Sequence, residues 1–140
     1  MSWQSIVDGG MVGTDMIDQG AAFNPAARCM AATTGFKVTR VEYDDIYKTF
    51  TDQGPMWKVG ITLGGVKYVG VSATPRLIHC RAGTRGLVAF RAKGCMCLAT
   101  YKPPIAAPSA IFIMEALADD INNDVYHITV KVEDELLAKT

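Results

Sequence analysis

Between Lys58 and Lys102 the sequence breaks into five short β-forming runs joined by links too short for anything but hairpins. The runs are Lys58–Leu63, Val66–Val71, Arg76–Ala82, Leu87–Lys93 and Cys95–Lys102. Two links, Gly64-Gly65 and Gly83-Thr84-Arg85-Gly86, carry glycine where a tight turn needs positive φ. Parallel neighbours need a crossover of about a dozen residues or more. The stretch therefore predicts an antiparallel meander and leaves no room for a dinucleotide-binding βαβ unit.

Helical signals flank the meander. Ser2 is placed to cap a short helix with Trp3, Ile6, Val7 and Met11 on one side, shortened or ended by Gly9-Gly10. Ala27–Thr34 reads as a weak strand. Thr39 and Glu42 stand three apart, as a capping box requires, and predict a helix over Arg40–Phe50 with Tyr43, Ile46, Tyr47 and Phe50 inward. Asp52 to Pro55 reads as turn. Ser109 is positioned to cap a second long helix reaching about Asn123, with Ile111, Phe112, Met114, Leu117, Ala118 and Ile121 on its apolar face. His127–Glu133 alternates like a strand, and Asp134–Thr140 is polar. One domain of 140 residues with a single core fits this order.

Charge is segregated along the chain. Lys and Arg number 14, as do Asp and Glu, yet no acid occurs from Gln53 to Met114. Lys58, Lys67, Arg76, Arg81, Arg85, Arg91, Lys93 and Lys102 all fall in that span. If the span forms one surface, that surface attracts an acidic protein, phospholipid or nucleic acid. No apolar run approaches the roughly 20 residues of a membrane span, and the N-terminus lacks a secretory pattern. A soluble intracellular protein is expected.

Signs of catalysis are missing. Cys29, Cys80, Cys95 and Cys97 lack metal or redox spacing and read as buried thiols, Cys95 and Cys97 on one strand face. His79 and His127 stand apart from acids and cysteines. The carboxylate pairs Asp44-Asp45 and Asp119-Asp120 diverge on their helices and do not share a proton. The glycine clusters are turns, not phosphate loops. Neither enzyme chemistry, metal nor cofactor is expected, which leaves a binding module.

Several segments then match one family in order and spacing. Met1-Ser2-Trp3-Gln4-Ser5-Ile6-Val7-Asp8 with Met11-Val12-Gly13-Thr14 resembles the profilin N-terminal signature as written in amoebae and other protists. Thr33 to Thr39 is similar to the lead into that family's second helix, and Ile61 to Tyr68 to its central hairpin. Gly83 and Gly86 resemble its basic turn, and Glu115 to Asp119 its C-terminal helix. The resemblance spans residues 1–126 and leaves 127–140 as an extension, either an added edge strand or a tail. It implies an α+β fold: a central antiparallel sheet, the N- and C-terminal helices on one face, shorter helices on the other.

Profilin resemblance also implies a function. Such a protein binds monomeric actin, accelerates its nucleotide exchange and suppresses nucleation. It is expected to be a cytoplasmic, cytoskeletal monomer with no nucleic-acid partner. The implied actin-facing residues are Lys67, Arg76, Arg81, Arg91, Lys93 and Glu115; Ser72 stands where many relatives carry arginine. Trp3, Ile6, Met30 and Tyr126 occupy the implied proline-rich-ligand groove, but Ile6, Met30 and Asp120 replace side chains better suited to it, so proline-rich binding is expected to be weak or altered. Arg76, Arg81, Arg85 and Arg91, with Lys93 beside them, are the implied contacts for phosphoinositide membranes. The alternative is a profilin-shaped scaffold that has lost actin or proline-rich ligands and binds lipid or another protein.

Overall fold

The meander forms the larger part of a seven-stranded antiparallel sheet. The computed structural model describes residues 2–125, so Tyr126 and the strand expected at His127–Glu133 lie outside the described residues. Strands β1 (Gln19–Phe23), β2 (Cys29–Ala32), β3 (Ile61–Leu63), β4 (Val66–Ala73), β5 (Leu77–Ala82), β6 (Arg85–Ala92) and β7 (Cys95–Tyr101) lie in the order β2-β1-β7-β6-β5-β4-β3. The β3–β4 turn is Gly64-Gly65, and both glycines take positive φ, as a two-residue turn of this kind requires. The β5–β6 turn is shorter than the sequence suggested. Ala82 pairs with Arg85, so only Gly83 and Thr84 are in the loop.

Two expectations fail at the start of the meander. Lys58 and Val59 belong to a helix, α3 (Gly54–Val59), and the strand begins only at Ile61. Pro55 sits in the first turn of α3, where its missing N–H costs nothing. Strand β1 was not foreseen, because Gly20, Ala21 and Ala22 carry little β-propensity. Its identity comes from pairing with β7, Gln19 to Thr100 through Phe23 to Met96.

Strand alternation gives each face its own core. Cys95, Cys97, Ala99 and Tyr101 of β7 pack with Val88 and Phe90 of β6 under the terminal helices. Met96, Leu98, Leu87, Ala89, Ile78 and Cys80 pack on the opposite face against helix α2 (Arg40–Thr49) and α3. Strand β7 is buried at every position, so both of its sides are apolar, as a central strand covered on two faces must be. Tyr43, Ile46 and Phe50 enter the α2 core as expected.

The terminal helices differ in detail from expectation. Helix α1 (Trp3–Ser5) is capped by Ser2, whose Oγ accepts the Ser5 N–H at 3.1 Å. It is not ended by Gly9-Gly10 but widens into a π-helical turn, Ile6–Met11, which keeps Ile6, Val7 and Met11 in the core. Helix α4 (Ala107–Asn122) starts before Ser109, with Ala106 in the cap position and no side-chain cap. Ala110, Met114, Leu117 and Ile121 form its buried stripe, while Phe112, half a turn away, is 69% exposed. Cys29 is exposed, contrary to the reading of four buried thiols; Cys80, Cys95 and Cys97 are buried. Among the described residues no helix is long and apolar enough to cross a membrane.

Candidate partner-binding surface

Helix α4 packs on β6 and β7 and stops short of the sheet edge. Among the described residues the same face of β4 has no helix packed along it, and Lys67, Val69 and Ser72 on it are exposed. Val69 pairs with Arg81, Ser72 pairs with His79, and a bulge between Gly70 and Ser72 inserts Val71. Val69 is 63% and Val71 47% exposed, which is unusual for valines inside a strand and makes this face a candidate contact surface. Lys67 lies two residues before Val69 on that face, and Arg81 lies across from it; both are exposed. Arg81 is held at the turn by donating from its guanidinium to the Gly83 carbonyl at 3.2 Å.

The remaining bases do not join them. In a strand, successive side chains point to opposite faces. Arg85 pairs with Ala82 and so points away from Arg81, on the α2–α3 side. Arg91 follows it on that side, its guanidinium carbon 5.7 Å from the centre of the Phe50 ring. Arg76 lies in the β4–β5 turn, where its carbonyl accepts the Arg91 N–H at 2.9 Å. Lys93 lies in the β6–β7 turn and donates its backbone N–H to Asn122 Oδ1 at 2.8 Å. The acid-free span therefore does not make one cationic plate; alternation and register divide it between two faces and one end of the sheet. Arg85 and Arg91, six positions apart in an extended strand, are separated by roughly 20 Å, so one headgroup does not bridge them.

Glu115 and Arg76 do come together. They line a groove of about 240 Å³ between α4 and β5, with Leu77, Asp119 and Arg91. Three exposed apolar residues on or beside β4 escaped sequence reading: Trp57, 52% exposed on α3, Val69 and Val71. Trp57 packs on the backbone at Gly70, where a Cβ would meet its ring at 3.2 Å. The Val66–Val71 run is apolar on both faces, so alternation could not tell which valines stay open.

A sequence model of the Profilin family matches residues 1–126. The chain belongs to the profilin family. It is 33% identical to the profilin of Schizosaccharomyces pombe over 120 residues, covering 85% of this chain and 94% of that one. Profilin-1A of Acanthamoeba castellanii is 30% identical with the same coverage. The solved structure of Acanthamoeba castellanii profilin IA superposes with a TM-score of 0.85 at 28% identity, over 89% of this chain and all of that one. A structure described as a LokiProfilin2/rabbit actin complex shares the fold, with a TM-score of 0.70 at 16% identity over 88% of this chain and 98% of that one. The expected profilin architecture, with its terminal helices on one face of the sheet, is thus present.

The second expected profilin site is only partly built from the residues read for it. Trp3 and Met30 are half-buried and pack against the same core. Gln4 Nε2 donates to the Ala32 carbonyl at 3.1 Å, tying α1 to β2 beside them. Ile6, read for the same groove, is fully buried in that core. Asp120 is half-exposed, and its carbonyl accepts the Val125 N–H at 3.0 Å.

Proposed function

We propose that this profilin binds monomeric actin through the uncovered face of β4 and β5, slowing spontaneous nucleation and speeding nucleotide exchange by contact, not catalysis. The observation that carries this reading is the exposed pair Val69 and Val71 following Lys67 along β4, with Arg81 directly across from Val69. A profilin-fold neighbour solved in complex with rabbit actin supports it. Magnitudes favour the valines as the source of affinity. Burying a valine side chain contributes about 1.5–3 kcal/mol, whereas an exposed ion pair contributes roughly 0–1 kcal/mol. Lys67 and Arg81 then serve mainly to steer encounter. Arg76 and Glu115 form a second contact beside them. Arg91 borders the groove they line, whereas Lys93 lies in the β6–β7 turn, away from the valines.

Pyrene-actin assembly and release of a fluorescent nucleotide test it. Excess protein should lengthen the lag and accelerate release. Val69→Asp should weaken both effects at least tenfold, while the Lys67→Ala/Arg81→Ala pair should slow association a few-fold at low salt and little at high salt. Unchanged lag and release with the unaltered protein would sink the proposal and favour a scaffold for another partner.

Proline-rich binding is proposed to be weak, because Ile6 is withdrawn into the core and, of the groove residues read from sequence, Trp3 is the one ring among the described residues. A polyproline titration followed by Trp3 emission, in a Trp57→Phe background to silence the exposed tryptophan, should show little saturable change. Saturation at low peptide concentration would overturn that. Arg76, Arg81, Arg85 and Arg91 are too dispersed to share one phosphoinositide headgroup; lipid binding would be diffuse and salt-sensitive, read by liposome sedimentation.

A further inference from the structure

On the α2–α3 face, away from the open valines, a cavity of about 250 Å³ lies where β1, the residue 35–37 loop and the β3–β4 turn meet. We propose that it binds a small organic carboxylate whose apolar body is about one ring in size. Phe36, Leu63, Val66 and the Tyr68 ring supply an apolar wall. Lys37 and Arg85 line the same space, and neither has a salt-bridge partner among the described residues. Their charges therefore remain available to an anion entering from solvent.

Thr100 adds a second, independent signal. It lines the cavity, is 8% exposed, and its Oγ1 is buried without a hydrogen-bond partner among the described residues. Alternation along β7 puts its side chain on the same face as Met96 and Leu98, the face that walls the cavity. A buried hydroxyl left unpaired is destabilising, and a ligand oxygen that reached it through a small shift of the cavity wall would relieve that cost. Tyr68 is a further donor: burial raises its pKa, with Arg85 opposing and Asp18 reinforcing the shift, so the phenol stays protonated.

Asp18 decides between anion types. It also lines the cavity, with Oδ1 3.8 Å from Lys102 Nζ, so its negative charge is only partly answered. A planar monoanion can meet one guanidinium edge-on with two oxygens and keep clear of that carboxylate. A phosphate dianion brings more charge and a third oxygen toward it, and is disfavoured.

The test is an amide NMR titration of the full chain with benzoate, benzamide and phenyl phosphate. Benzoate should saturate, moving the amides of Gln19, Gly35, Gly64 and Thr100, and Arg85→Gln should lower its affinity about tenfold. Benzamide should bind far more weakly. The inference is overturned by no saturation with benzoate, by equal affinity in Arg85→Gln, by benzamide binding as well as benzoate, or by phenyl phosphate binding more tightly with shifts spread over the exposed bases.

Discussion

Gly86 faces Tyr101 across the β6–β7 ladder, and a Cβ on Gly86 would overlap the phenol ring. The missing side chain lets that ring lie across β6 and bring its hydroxyl 2.7 Å from His79 Nε2 in β5. His79 is buried, and burial first, then the Arg81 guanidinium, lowers its pKa below the ordinary 6.5. The unfolded chain thus takes up a proton that the folded chain resists. Stability from this site is intact above about pH 6.5 and is lost as pH falls through the lowered folded value. Urea midpoints at about pH 7.5 and about pH 5.5 should therefore drop more for the unaltered protein than for His79→Gln. Equal drops would exclude His79 as a source of acid sensitivity. From sequence, a lone strand histidine reads as either surface or satisfied core. Its partner lies 22 positions away, and only strand order joins them.

Glu42 shows how one element is fastened to another. Its Oε1 accepts the Thr39 N–H at 2.8 Å, completing the capping box, while Oε2 accepts the Gly64 N–H at 2.7 Å in the β3–β4 turn. One carboxylate thus starts α2 and fixes a hairpin. Glu42→Ala should lose about 1–3 kcal/mol in equilibrium urea unfolding, and Glu42→Gln, which keeps one acceptor, clearly less. A loss of only a few tenths for Glu42→Ala would show that the hairpin holds without it. The box was legible because both partners fall within one helical turn. The hairpin contact was not, since nothing local links positions 42 and 64. Helix α3 was misread for a related reason: Trp57-Lys58-Val59 has β character, and its helical state follows from packing of Met56 under β4.

For the whole molecule, the hairpin turns and apolar runs were enough to read an antiparallel meander with helices on two faces. The candidate surface was less legible. Which way a base points depends on register, and whether a valine is open depends on where α4 ends; neither is written in local pattern. Lys67 and Arg81 fell together, while Arg85 and Arg91 turned to the other face, as their pairing with β5 and contact with Phe50 dictate. The sheet order carries one more consequence. Strand β7 sits between β1 and β6, so the last of the described strands to be made closes a gap left by the first. A ribosome must deliver residue 101 before the two halves can zip together. Until then the nascent chain holds two separate ribbons with unpaired rims, the period when it is most exposed to mispairing and most in need of a chaperone.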